Sequence, residues 1–176
     1  MATTQPLVHM VSDEEAKGQA RDLFEGIKKS TGGKVPKWMR VMANCDDVLV
    51  GFFTMYKAIM DDAPVDKMLK WKVAYRISEM NKCEFCVSIS KMQLKQIGLP
   101  DDEIENIDKA TNDKEKVALE YAAAATEHAY NIKPETFQKM KELFSDEQIV
   151  EITSVVGLFN FINRFNDSLG VLPDIE

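Results

Sequence analysis

Residues 78–86 read SEMNKCEFC, and this stretch places two cysteines three positions apart at a helix boundary. One helical pattern ends near Asn81, and another begins at Cys83 and continues to Gly98. Residues three apart share a helix face, so the sulfur atoms of Cys83 and Cys86 should lie within bridging reach. The unpaired N–H groups of the first turn favour a thiolate there. The pattern predicts a redox pair, and the alternative is two inert cysteines that fill a core turn.

Helical patterns extend outward from this stretch in both directions. The Ser12–Glu15 capping box and the Gly32-Gly33 pair predict an N-terminal helix over residues 12–31. Further helices are predicted over Val65–Met80 and after Pro36, Asp47, Pro100, Asn112, Pro134 and the Ser145–Gln148 capping box. The β-branched stretch Ile149–Phe159 resembles a strand, but its apolar spacing of three and four residues favours a helix. We predict an all-α chain of eight or nine helices.

The composition indicates a compact protein of ordinary size. The 176 residues are 45% hydrophobic and 29% charged, which suits one domain over residues 1–176 with a real core. The net charge of -7 argues against nucleic acid and against an anionic membrane as partners. The N-terminal residues lack the features of a signal peptide, and no apolar run approaches the ~18 residues that span a bilayer. We expect a cytoplasmic protein.

The cysteine count excludes a disulfide scaffold, since the chain has only three. Cys45 has no nearby partner in the sequence, and we expect it to be a buried apolar residue. A structural zinc site needs four ligands, and only His9 and His128 could join the cysteines. We therefore expect neither a metal nor another cofactor.

Further motifs follow the cysteine pair in a fixed order. They are Gly98–Ile104, Glu115–Leu119, Phe144–Glu151 and Asn160–Arg164. Together with Ser78–Cys86, they resemble the carboxymuconolactone decarboxylase superfamily, and within it the AhpD-like, peroxidase-related branch, over about residues 40–172. The resemblance implies an AhpD-like helical bundle, an oligomer and dithiol peroxidase activity. It also implies that Cys86 attacks the peroxide and that Cys83 resolves the product to a disulfide.

Two positions depart from the family pattern. Active members usually carry a Glu twelve residues before the first cysteine and a His four residues after the second, and these form the proton relay that activates the thiol. This chain has Trp71 and Ser90 there. Without a base, a thiol with a reference pKa of about 8.5 is mostly protonated at neutral pH, so activity should be slow.

Three residues could compensate for the missing relay. Ser90 and Tyr75 could hold a water near the sulfur atoms, and His128 could shuttle protons. The structural alternatives are a solvated helix residue for Ser90, a core aromatic for Tyr75 and a surface residue for His128. The nearby Glu79 and Glu84 are expected to point to solvent.

Two hypotheses for function follow. The first is an alkylhydroperoxidase-like dithiol oxidoreductase of the peroxiredoxin type, with a small peroxide as substrate and a thiol reductant as partner. The second is a non-redox, decarboxylase-like member or a degenerate ligand-binding scaffold. The cysteine pair favours the first hypothesis, and the loss of both relay residues favours the second.

Two features of the helices predict contacts beyond the cysteine pair. Asn160, Asn163 and Arg164 form a polar patch on an apolar helix, which should tie helix ends together or form a subunit contact. The segments Val48–Met60 and Ile149–Phe165 are apolar over a wide arc. Exposed apolar surface of this kind predicts a homo-oligomer.

Overall fold

The chain, seen in a computed structural model that describes residues 5–61, 63–109 and 112–173, has only helices as regular structure in those ranges. The α-helices are α1 (Gly18–Ser30), α2 (Lys37–Met42), α3 (Asp46–Met60), α4 (Lys67–Met80), α5 (Glu84–Gln96), α6 (Asp101–Glu105), α7 (Asp113–His128), α8 (Pro134–Leu143) and α9 (Asp146–Ser168). Short 3₁₀ helices follow α6 and α7, at Ile107–Lys109 and Ala129–Asn131. The predicted all-α class is confirmed. None of these helices combines the length and apolar character needed to cross a membrane.

The described residues cluster into two compact units. One contains the described residues up to Ala58 and those from Asn166 onward, and the other contains the described residues from Ile59 to Phe165. The cysteine pair belongs to the second unit.

The predicted start of the first helix is wrong. The Ser12–Glu15 capping box forms both of its hydrogen bonds, at 2.8 and 3.2 Å, but it closes an isolated turn. Helix α1 begins only at Gly18, whose φ of +51° belongs to the left-handed region and interrupts a right-handed helix. The carboxylate of Asp46 caps α1 instead, because it accepts the N–H of Ala20 over 2.7 Å. The residue that caps this helix therefore comes from α3.

The prediction that Cys45 is buried is also wrong, since its side chain is exposed. Cys45 immediately precedes α3, and its carbonyl accepts the N–H of Leu49 over 3.1 Å. Leu49, one turn later, is completely buried and contributes the apolar packing expected of Cys45. Cys45 is exposed because it lies at the start of α3, where its side chain does not pack into the core.

In the second unit α4 is the central helix, since it packs against α5 and α7. Its buried residues include two lysines. Lys70 Nζ bonds the carboxylate of Glu151 and the carbonyl oxygen of Asp61, the latter over 2.6 Å, and Lys72 Nζ lies 2.8 Å from Glu115. Both charges are therefore paired, as burial of a charge requires. Nothing in the sequence pattern marks these two lysines as buried.

Helix α9 confirms the interpretation of its β-branched stretch as helical. The predicted capping box is formed, because Gln148 N–H donates to Ser145 Oγ and Ser145 N–H donates to Gln148 Oε1, at 3.2 and 3.1 Å. The helix runs without interruption from Asp146 to Ser168. Local capping and apolar spacing therefore outweigh the strand preference of β-branched residues here.

Candidate active site

The turn between α4 and α5 positions the cysteine pair. The N–H of Cys83 donates to the Ser78 carbonyl and the N–H of Lys82 donates to the Glu79 carbonyl, each over 3.0 Å. These two bonds form a Schellman motif, which usually has glycine at its left-handed position. Lys82 occupies that position here with a φ of +59°. Because Lys82 carries a Cβ, the turn is held in a backbone conformation that it would not adopt alone.

The two thiols lie together at the start of α5. Cys83 is the N-cap residue and Cys86 lies in the first turn. Their Sγ atoms are 2.9 Å apart and are not joined by a disulfide, whose bond length is about 2.05 Å. Both side chains are buried, with Cys83 0% and Cys86 4% exposed. The predicted proximity of the sulfur atoms is confirmed.

A network of amides from α9 holds the α4 end of the turn. The side-chain N–H₂ of Asn81 donates to the side-chain oxygens of Asn160 and Asn163, at 3.0 and 2.9 Å. Asn163 in turn donates to the hydroxyl of Ser78 over 3.2 Å. Asn163 and Ser78 are completely buried. The polar patch on α9 therefore ties a helix end, as the sequence predicted, but Asn81 and Ser78 had not been identified as its partners.

The side-chain amide of Asn160 forms further bonds within α9 and to α7. Its N–H₂ donates to the hydroxyl of Thr126 on α7 over 3.1 Å, and Arg164 Nη1 donates to its side-chain oxygen over 2.6 Å. The network thus joins α4, α7 and α9 behind the cysteine-bearing turn. In the sequence, the signal that could have indicated this network was the asparagine at the predicted end of α4, two residues before Cys83.

The two residues at the relay positions are both buried. Ser90 is 0% exposed, so the view of it as a solvated residue is wrong. Its hydroxyl and the indole N–H of Trp71 have no hydrogen-bond partner among the described residues. The Trp71 ring packs edge-on against Phe159, with 5.9 Å between ring centroids. Neither side chain can act as a base, but both can donate a hydrogen bond.

Tyr75 is buried and paired with a carboxylate. Burial, the negative charge of Glu79 and a hydrogen bond to that residue raise the pKa of Tyr75 to about 12. Desolvation of the carboxylate also raises the pKa of Glu79. The side chains of Glu79 and Glu84 are both exposed, as the sequence predicted. Tyr75 therefore remains protonated at neutral pH and can donate a hydrogen bond but cannot act as a base.

His128 is the exposed last residue of α7. Its ring lies edge-on to Tyr130, with 5.9 Å between centroids. No described group of three or more His, Cys, Asp or Glu side chains is arranged as a metal site.

Solved structures identify the fold. An uncharacterized peroxidase-related protein from Ralstonia eutropha JMP134, described as an alkylhydroperoxidase AhpD core, superposes with a TM-score of 0.87 over 99% of this chain and 95% of that one, at 20% sequence identity. The chain has the AhpD fold. The family resemblance of the sequence is thus confirmed at the level of fold.

A second solved structure with the same fold is named a debrominase. It is a cysteine-to-alanine variant of the debrominase Bmp8 in complex with 2,3,4-tribromopyrrole. It superposes with a TM-score of 0.84 over 98% of this chain and 94% of that chain, at 21% identity. One of the structures that share the fold of this chain is thus named a debrominase.

Sequence comparison finds a relative that matches only part of the chain. No protein-family model matches the chain. The uncharacterized protein YnjA of Escherichia coli strain K12 is 30% identical over 114 residues, which is 62% of this chain and 63% of YnjA. The match thus spans less than two thirds of either protein.

Proposed function

We propose that the protein is a dithiol oxidoreductase of the alkylhydroperoxidase type that uses Cys83 and Cys86. The observation that carries the proposal is the 2.9 Å separation of two buried sulfur atoms at the start of α5. Thiols at this distance can form a disulfide with little backbone movement. A small organic hydroperoxide is the proposed substrate and a thiol the proposed reductant, which would both have to reach the start of α5.

In the proposed cycle Cys86 attacks first. Its thiolate takes the terminal oxygen of the hydroperoxide, the O–O bond breaks, and the alkoxide leaves as the alcohol after protonation. Cys83 then attacks the sulfenic acid, and the disulfide forms with release of water. The reductant returns two electrons and two protons. The resemblance assigns this order, with Cys86 as the attacking thiol and Cys83 as the resolving thiol.

The proposed cycle lacks a strong base beside Cys86. Ser90 lies one turn after Cys86, and its buried hydroxyl has the capacity to hold a water that passes on the thiol proton. Tyr75 can supply a hydrogen bond but no base, and His128 is the remaining candidate for proton transfer. We therefore propose a slow peroxidase whose rate follows the ionisation of Cys86.

The debrominase neighbour supports a second candidate, reductive dehalogenation of a haloaromatic compound. The same dithiol supplies two electrons and a proton, hydrogen replaces the halogen on the ring, and a halide ion leaves. The products are the disulfide, the dehalogenated ring and one acid equivalent. Both candidates therefore end in a Cys83–Cys86 disulfide and differ in the bond that is reduced.

The test is substrate consumption by wild type and by two variants, with a dithiol reductant. Cys86→Ser should abolish peroxide reduction, whereas Cys83→Ser, assayed without the reductant, should complete one turnover and stop at a sulfenic acid that a sulfenate-specific reagent traps. Parallel assays with tert-butyl hydroperoxide and 2,3,4-tribromopyrrole separate the two activities. A wild type no faster than the double Cys→Ser variant with either compound would favour the non-redox, decarboxylase-like or scaffold alternative.

A further inference from the structure

The cysteine-bearing turn is held by residues that lie far away in the sequence. Asn81 is the C-cap of α4, and its side-chain amide bonds Asn163 on α9 over 2.9 Å. Ser78 gives its carbonyl to Cys83 N–H and its hydroxyl to Asn163. Asn163 thus contacts both the first residue of the turn and the helix cap that precedes Lys82. The bond from Cys83 N–H to Ser78 connects these contacts to the cysteine-bearing turn through the backbone.

The backbone between these contacts is strained. Lys82 has a left-handed φ of +59°, which an L-residue keeps only when its surroundings enforce it. Cys83 follows directly, and its N–H is bonded to Ser78. If the hydrogen bonds of Asn163 to Asn81 and Ser78 are lost, Lys82 can return toward negative φ, and that rotation moves Cys83 away from Cys86. The amide contacts therefore keep the reduced thiols close together.

We propose that Asn163, together with Asn81, acts as a positioning pair that sets the equilibrium between the dithiol and the disulfide. The inference rests on the proposed dithiol function of the site. We call the hydrogen bonds of Asn163 and Asn81 the clamp. In the reduced form the clamp restricts the turn and holds the two thiols in contact, whereas in the disulfide a covalent bond holds the two sulfur atoms together. Loss of the clamp therefore increases the conformational entropy of the turn mainly in the dithiol form, and this shifts the equilibrium toward the reduced protein.

The equilibrium is measured against glutathione. One glutathione disulfide oxidises the pair: the glutathione S–S bond breaks, the Cys83–Cys86 bond forms, and both protons and both electrons pass to two glutathione thiols. The folded protein is equilibrated at a series of glutathione ratios, quenched by acid and alkylation, and analysed by mass spectrometry. The ratio at half oxidation gives the equilibrium constant.

Asn163→Ala and Asn81→Ala should each lower the constant for disulfide formation by about tenfold, which is about 30 mV toward a less negative potential. Their double variant should shift the constant no further than the larger single effect, since both residues belong to one clamp. Asn81 is only half-buried, so its variant is expected to fold even if Asn163→Ala does not.

Thr153→Val is the matched control. It also removes a side-chain hydrogen bond from α9, that between Thr153 and the Tyr121 hydroxyl at 2.8 Å, but at a site outside the clamp. Its equilibrium constant should stay within twofold of wild type, although urea unfolding will show some loss of stability. If the equilibrium constant for disulfide formation is unchanged in both asparagine variants, or shifts equally in Thr153→Val, the inference about the clamp is overturned and the proposed dithiol function is not. A wild type that forms no Cys83–Cys86 disulfide at any glutathione ratio would overturn the proposed function as well.

Discussion

Ser90 follows Cys86 by one turn of α5, and its completely buried hydroxyl has no hydrogen-bond partner among the described residues. A serine cannot take the thiol proton at neutral pH, so peroxide reduction should be slow and should rise with pH as Cys86 ionises. Ser90→His should raise the rate and move the profile to lower pH, because general-base assistance is worth about 10²–10⁴-fold. Peroxide consumption measured against pH tests this.

Trp71→Glu combined with Ser90→His restores both relay residues and should raise the rate further. The Trp71 ring packs on Phe159, so its loss should cost about 3–5 kcal/mol, and a thermal melt must show that the variant is folded. A fast wild type whose rate does not depend on pH would contradict the prediction. His128→Gln would then show whether His128 is the base.

The apolar residues left exposed on α3 and α9 predict self-association. Val48 and Met55 on α3, and Val150 and Phe161 on α9, are all exposed. Light scattering should therefore give a mass that is a multiple of the 20.0 kDa chain. Phe161→Glu should lower that mass, because it replaces an exposed apolar side chain of α9 by a charge, whereas Gln138→Glu on the exposed side of α8 should not. A monomer at micromolar concentration would refute the prediction.

Stability should depend on acid pH through Asp13. Hydrogen bonds from Lys28 and Arg40, each at 2.7 Å, lower the pKa of Asp13 below its usual 3.8. A lowered folded pKa adds stability above the unfolded value, and this is lost as pH falls through the folded pKa. Asp13→Asn should therefore cost up to about 1 kcal/mol at neutral pH and nothing in strong acid.

Urea unfolding at a series of pH values measures this difference. Asp22→Asn, which changes an exposed carboxylate on α1, is the control and should leave the pH dependence unchanged. The assignment to Asp13 would be wrong if both variants lost the same stability at every pH.

The left-handed turn before Cys83 should tolerate glycine better than lysine. Lys82 is exposed and has a φ of +59°, a region in which Cβ is disfavoured. Lys82→Gly should raise the free energy of unfolding by about 0.5–1 kcal/mol, after allowance for the greater freedom of glycine in the unfolded chain. Lys82→Ala keeps the Cβ and should give no gain. Equal effects of the two substitutions would show that the lysine side chain, and not the backbone, matters there.

The sequence predicted what depends on neighbours along the chain. The helix ends at Ser145 and Asn112, the boundary at Cys83 and the helical nature of Ile149–Phe159 all follow from caps and spacing, and all are present. The proximity of Cys83 and Cys86 could likewise be predicted locally, because residues three apart share a helix face.

Contacts between distant segments were not predictable in the same way. Asp46 caps α1 from another helix, which displaced the expected start at the Ser12 box. The bonds of Asn81 and Asn163 join residues 82 positions apart, and only the packing of α9 on α4 brings them together. The burial of Ser90 likewise depends on neighbours that the pattern of α5 does not reveal.

The central claim, that Cys83 and Cys86 form a redox pair, is tested most directly by peptide mass spectrometry after treatment with hydroperoxide and alkylation. Cleavage after Lys82 and Lys91 releases residues 83–91, which contain both cysteines of the pair and exclude Cys45. We predict that this peptide is found without alkylation and lighter than the dithiol form by two hydrogen atoms. Recovery of the same peptide with both cysteines fully alkylated after peroxide treatment would contradict the account.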